Sequence, residues 1–195
     1  TDSGTKYVTY QNMKFDGSAS TRINDSFQIS NATGVILREL EIFGWEATMY
    51  FSGVTDIQVL NNIVHDMNYV ASACVPGRRY LPFYIGSGTN LTFTGNETYG
   101  NGGGWQFYPG PITNATITKN YIHDETNCTN QNVGGILVQA SSGNISGVSI
   151  YDNVIETIGT VGNTQQASVL DLGPSSGAFT QTGTTVYNNT IYNSA

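Results

Sequence analysis

Two His-Asp pairs, His65-Asp66 and His123-Asp124, are the residues of this chain best suited to acid–base chemistry. An imidazole held by a carboxylate can serve as a general base. Neighbouring side chains on a strand point to opposite faces, so the expectation is that each His and its following Asp face apart and serve structure. The two histidines should lie two repeats apart with Tyr99 between them, too distant to share a metal ion, and no third ligand is evident, so no metal site is expected. Arg78-Arg79 is the only basic cluster; it shares a segment with Cys74 and could reach His65 and Asp66. Arg78, Arg79, His65, Asp66 and His123 are therefore the best enzymatic set. A glycosidase needs two carboxyl groups at a set separation, and adjacent repeats present no obvious pair. Gly102-Gly103-Gly104 has neither the Lys-Ser/Thr nor the helix of a phosphate loop and reads as a tight turn.

What positions these residues is a phrase that recurs seven times, as Val8-Thr9-Tyr10, Val35-Ile36-Leu37, Ile57-Gln58-Val59, Leu91-Thr92-Phe93, Ala115-Thr116-Ile117, Val148-Ser149-Ile150 and Thr184-Thr185-Val186. Three residues later comes a bend residue: Met13, Leu40, Asn62, Asn96, Asn120, Asn153, Asn189. Two further on is another apolar column, Phe15, Ile42, Val64, Thr98, Ile122, Ile155, Ile191. Alternation at period two means strand, and Thr is well tolerated there. A second run precedes each phrase, as in Phe27-Gln28-Ile29, Trp105-Gln106-Phe107 and Val169-Leu170-Asp171. A sandwich gives no reason for columns to repeat in phase, whereas stacked coils do. Bend-to-bend spacings of 27, 22, 34, 24, 33 and 36 residues imply bare coils and coils with inserted loops.

The phrase V-x-I-x-x-N-x-I-x-D, seen in Ile57 to Asp66 and Ala115 to Asp124, resembles the parallel β-helix repeat of the pectate-lyase-like superfamily. The resemblance spans nearly the whole chain and implies an all-β, single-stranded, right-handed parallel β-helix of about seven coils with inserted loops, one domain over residues 1–195. It implies an inward ladder of bonded amides at Asn62, Asn96, Asn120, Asn153 and Asn189, from which Met13 and Leu40 depart. It narrows function little, because the family includes lyases, hydrolases, phage tailspikes, adhesins and structural coats. Its lyases use an Arg or Lys base, often with Ca²⁺ held by Asp, which would assign chemistry to Arg78 or Arg79. The Asn-Thr-Asp, Asp-Asp, Gly-His-Gly and Arg-Ile-Lys signatures of the related polygalacturonases do not occur.

Three residues past the bend lies an outward column, Asp16, Phe43, His65, Tyr99, His123, Glu156, Tyr192. Phe43, Tyr99 and Tyr192 could stack on sugar rings; the alternative is that inserted loops cover the column and the rings pack beneath them. With net charge −7 and seven Lys plus Arg, the chain cannot offer the basic face nucleic acid demands. No stretch is long and apolar enough to span a bilayer.

Asn-x-Ser/Thr motifs occur at Asn24, Asn31, Asn90, Asn96, Asn114, Asn127, Asn144 and Asn188, more than composition alone gives, although Asn-rich turns and Thr-rich strands inflate the number. Asn96, an inward position, should be unmodified. Cys74 and Cys128 follow Asp66 and Asp124, at one corner two coils apart, a gap of about 9.6 Å. A disulfide requires closer approach, which leaning loops could provide; a Cys74–Cys128 bridge in an oxidising compartment is expected, with two free thiols as the alternative. The repeat runs nearly to both termini without a capping helix, so either the chain is cut from a longer one or another subunit supplies the cap. Head-to-tail stacking would give a filament.

The sequence thus reads as a secreted, glycosylated structural β-helix whose partners are copies of itself end to end, N-glycans and, as a further candidate, polysaccharide. No cofactor is expected. The alternative is a polysaccharide lyase, glycoside hydrolase or inactive sugar-binding relative, and only the lyase would call for Ca²⁺.

Overall fold

A computed structural model describes residues 2–17, 27–45, 49–67, 80–125, 133–156, 168–174 and 177–192. Among them the only regular elements are strands, which form three parallel sheets stacked in chain order, a parallel β-helix. The first sheet holds Asp2–Ser3, Phe27–Ser30, Met49–Ser52, Phe83–Ile85, Trp105–Phe107, Val133–Ala140 and Ser168–Pro174. The second holds Thr9–Gln11, Ile36–Arg38, Val54–Leu60, Gly88–Thr94, Ile112–Thr118 and Ile145–Tyr151, followed by Gln181–Thr182 and Thr185–Tyr187, which both pair with Ile145–Tyr151. The third holds Lys14–Asp16, Glu41–Phe43, Ile63–His65, Glu97–Tyr99, Tyr121–His123, Val154–Glu156 and Thr190–Tyr192.

Register follows the repeated phrase: Ile57 pairs with Leu91, Leu91 with Ala115 and Ala115 with Val148. The first sheet differs at its last strand. Ile136 pairs with Leu170 and Leu137 with Asp171, so the residues in line with Trp105-Gln106-Phe107 are Leu170-Asp171-Leu172, one position later than alternation suggests. The shift accompanies an irregularity between Val133 and Ile136. There Gly135 lies so close to the next level that a Cβ would fall 2.0 Å from the Val169 carbonyl oxygen. Gly104 has the same cause, since its Cβ would lie 1.9 Å from the Gly135 oxygen. Close backbone approach, rather than the tight turn read from sequence, accounts for that glycine.

The corner between the second and third sheets is made by left-handed residues, among them Asn12, Asn61, Asp152 and Asn188 with φ of 52° to 54°. Asn and Asp reach this region more easily than other residues with a Cβ. The turn aims the next side chain inward, where Asn62, Asn96, Asn120, Asn153 and Asn189 bond in series. Asn96 N and Nδ2 both donate to Asn120 Oδ1 (2.9 and 3.0 Å), and Asn120 does the same to Asn153 (3.0 and 2.9 Å). Each spare Nδ2 hydrogen meets a carbonyl of the preceding level, such as Val59 or Phe93. At the start of the series, Leu40 N donates to Asn62 Oδ1. The core beside the ladder is apolar and centred on Phe83, Phe93, Trp105 and Phe107, all at most 1% exposed. Phe83 and Trp105 meet edge to face at 4.7 Å.

The undescribed stretches 18–26, 46–48, 68–79, 126–132 and 157–167 all fall between a third-sheet strand and the next first-sheet strand. The second sheet is therefore entered and left by short described turns, apart from residues 175–176.

Candidate functional site

The third sheet presents two outward columns, and the chemistry suggested by the sequence falls on them. One column pairs Asp16, Phe43, His65, Tyr99, His123, Glu156 and Tyr192 in strict register. The other, two residues earlier, begins Lys14, Glu41, Ile63, Glu97 and Tyr121. Parallel strands place identical columns about 4.8 Å apart, which is stacking distance for flat rings. Phe43 and His65 stack at 5.0 Å and 7°, His65 and Tyr99 at 4.7 Å and 11°, Tyr99 and His123 at 5.1 Å and 26°. Both ends of the stack are closed. Lys14 Nζ lies 4.7 Å over the Phe43 ring, and the Tyr121 ring stacks under His123 at 4.1 Å.

The ring edges are occupied too. His65 Nδ1 lies 2.9 Å from Asp66 Oδ2 and its Nε2 3.4 Å from Glu41 Oε1. His123 repeats the arrangement, with Asp124 at 2.9 Å and Glu97 at 3.1 Å. This corrects the expectation that each His and its following Asp point apart. Asp66 and Asp124 have φ of 51° and 48°, so the strand ends at the His and the left-handed Asp folds back over it. The two His side chains are only 12% and 14% exposed.

The carboxylates are held in turn. Lys14 Nζ sits 3.0 Å from Glu41, and that bond does most to hold the Glu41 carboxyl below its usual range; desolvation, the next largest effect, opposes it, and the bond from His65 adds to the lowering. The Tyr121 hydroxyl donates to Glu156, which pushes the phenol up to about 12. Burial, then the negative charges of Asp66, Glu97 and Glu41, raises Tyr99.

As chemistry, the stripe is saturated. A general base needs a nitrogen open to substrate, and here both nitrogens of each imidazole face carboxylates. A sugar platform needs an open ring face, and those of Phe43 and Tyr99 lie against neighbours. His65, Asp66 and Glu41 are brought together; His123 is two levels away behind Tyr99. Arg78, Arg79, Cys74, Cys128, Asn24 and Asn127 lie outside the described residues. Tyr192 is exposed on the last level, paired with Glu156. Among the described residues no three His, Cys, Asp or Glu groups converge as metal ligands. A shallow cleft of about 330 Å³ lies beside Met13, Lys14, Leu40 and Glu41, where the ladder has given way to apolar residues, and its one lysine is already paired.

Reasoning from sequence missed Glu41, Glu97, Tyr121 and Lys14, although each sits two residues before a member of the stripe. It also missed a second buried series. Met67 N donates to Asn101 Oδ1, and Asn101 N and Nδ2 donate to Glu125 Oε2 and Oε1 at 2.8 and 3.1 Å. Glu125 is fully buried, and burial pushes its carboxyl up to about 8 despite the bonds from Asn101 and Thr98. The signal was available: Met67, Asn101 and Glu125 each follow a ladder Asn by five residues.

The fold and its closed stripe define a parallel β-helix solenoid. No family model, curated protein or solved structure matches the chain. Among the described residues no helix is long and apolar enough to cross a membrane.

Proposed function

We propose that this chain is a secreted, N-glycosylated, non-catalytic β-helix of the right-handed, pectate-lyase-like type, whose copies stack end to end into an extracellular filament or coat. The observation that carries the reading is the saturated stripe. The column that could do chemistry spends its ring faces on one another and its ring nitrogens on carboxylates, and so it works as a spine bonding successive levels.

The proposed stacking would engage the last described level. Leu172, Val186 and Ile191 occupy inward columns yet are 41%, 40% and 43% exposed, where the corresponding Val138, Ile150 and Ile155 are buried. In the same columns the first level carries Tyr10 and Phe15. A copy set in register would place Tyr10 against Val186 and Phe15 against Ile191, burying apolar area at roughly 25 cal/mol per Å² and pairing open strand edges.

Electron microscopy and sedimentation of the purified chain test this. Polymers that become monomers in a Val186→Asp, Ile191→Asp variant are expected. Monomers at high concentration that cleave an acidic polysaccharide, with loss on Arg79→Ala, would overturn the reading in favour of an enzyme.

A further inference from the structure

Four of the eight Asn-x-Ser/Thr motifs, scattered along the sequence, converge in space. Thr33, Thr55, Thr89, Thr113, Ser146 and Thr182 form one outward column of the second sheet, and Gln58, Thr92, Thr116, Ser149 and Thr185 the next. Thr33, Thr92, Thr116 and Ser146 are the hydroxyl residues that complete the motifs of Asn31, Asn90, Asn114 and Asn144. Those four asparagines are exposed and lie on this one face or its first-sheet corner. Asn188, also exposed, lies at the opposite corner on the last level. Among the described motif asparagines Asn96 alone points inward, 1% exposed and bonded within the ladder.

We propose that the outer face of the second sheet is the glycan-bearing face of the solenoid, with Asn31 and Asn144 as its principal attachment points. This rests on the reading of the chain as a secreted protein and assigns the sites and the side. Three observations carry it. The turns that enter and leave the second sheet are short and described, apart from residues 175–176. Among the described residues the hydroxyls of Thr33, Thr92, Thr116 and Ser146 have no hydrogen-bond partner, so the described fold does not require them. The acceptor nitrogens also differ in availability. Among the described residues Asn31 makes no side-chain hydrogen bond, and Asn144 is tied only through Oδ1, to Thr180 N at 3.0 Å, with no partner there for Nδ2. Asn90 Nδ2 donates to Asp56 at 2.9 Å, and Asn114 Nδ2 to Asn90 at 3.3 Å, so modification there competes with an existing ladder.

In the transfer, Nδ2 loses a proton and bonds C1 of an oligosaccharide as the C1–O bond to a lipid diphosphate carrier breaks, the diphosphate leaving. A rival account is purely conformational. A left-handed Asn at a corner, then an inward apolar residue, then an outward Thr spells Asn-x-Thr with no glycan involved, as Asn90-Leu91-Thr92 shows.

The two accounts separate when the chain is secreted from a eukaryotic host, digested with an amide-releasing glycosidase in ¹⁸O water and mapped by peptide mass. Full occupancy is expected at Asn31 and Asn144, partial occupancy at Asn90 and Asn114, and none at Asn96. Thr33→Ala and Ser146→Ala should each remove one glycan's mass and leave the melting temperature unchanged. Thr98→Ala should remove no glycan yet lower melting, because Thr98 is buried and accepts from Trp105 Nε1 at 3.0 Å. Folded, secreted protein unmodified at Asn31 and Asn144 would overturn the proposal, as would modification at Asn96. Microscopy of the same material keeps the two readings apart. Glycosylated monomers would sink the filament and leave this inference standing; unglycosylated polymers would do the reverse.

Discussion

Two polar stacks run side by side down this solenoid, the buried asparagine ladder and the exposed ring stripe, and they are held by different physics. Both repeat one contact per level, and both leave their polar groups bonded. The ladder's donors are walled in, Asn62, Asn96, Asn120 and Asn153 being 1% exposed. If a partner is lost there, nothing replaces it. The stripe's carboxylates stand at the surface, Asp66 at 55% and Glu97 at 40% side-chain exposure, where water can substitute. One stack holds the fold together. The other stacks rings along a face and turns their nitrogens toward carboxylates.

The sharpest test of that contrast is Asn120→Leu. It strips the shared acceptor from two buried donors of Asn96, and at about 1–3 kcal/mol per orphaned group the loss should be about 3 kcal/mol or more by denaturant unfolding. If it costs no more than a stripe substitution, the contrast fails.

Glu125 tests the second buried series. Its folded carboxyl is raised to about 8 from an ordinary 4.5, so the folded state keeps a proton that the unfolded chain releases. The associated stability is complete below about pH 4.5 and is lost as pH rises through about 8. Melting should therefore fall between pH 5 and pH 8.5 by the equivalent of about 3–4 kcal/mol, and Glu125→Gln should flatten that dependence. A variant with the wild-type slope would exclude Glu125 as its source.

On the stripe, Tyr99→Ala removes the ring between His65 and His123 and should cost about 1–2 kcal/mol, in line with other stacked pairs plus lost area. Unfolding curves at matched pH would measure it. The smallest effect belongs to Lys14→Ala. Its ion pair with Glu41 is 59% and 38% exposed, so about 0.5 kcal/mol or less is expected, shrinking further in high salt. A loss several times larger would mean that the cation over Phe43 anchors the stripe.

Much of this was legible in the letters. The column from Val8 to Thr184 aligns as read, and so does the stripe from Asp16 to Tyr192, because period-two alternation and an in-phase repeat leave little freedom in register. Three features were not legible. The slip at Leu170 follows an irregularity at Val133–Ile136 that no alternation rule encodes. The bonds from His65 to Asp66 and from His123 to Asp124 depend on a left-handed residue that ends the strand. Gly104 is a glycine because of Gly135, in the level above it.

The sequence by itself determined which residues share a column and which columns face in, because both follow from alternation along a single strand. Only the tertiary structure decided which groups bond. The ladder bonds join levels 22 to 39 residues apart, the His-Asp bonds join neighbours, and both geometries are set by the backbone angle at each corner and the approach of the next coil. That is why His-Asp letters that read in the chain as side chains facing apart are bonded pairs in the fold.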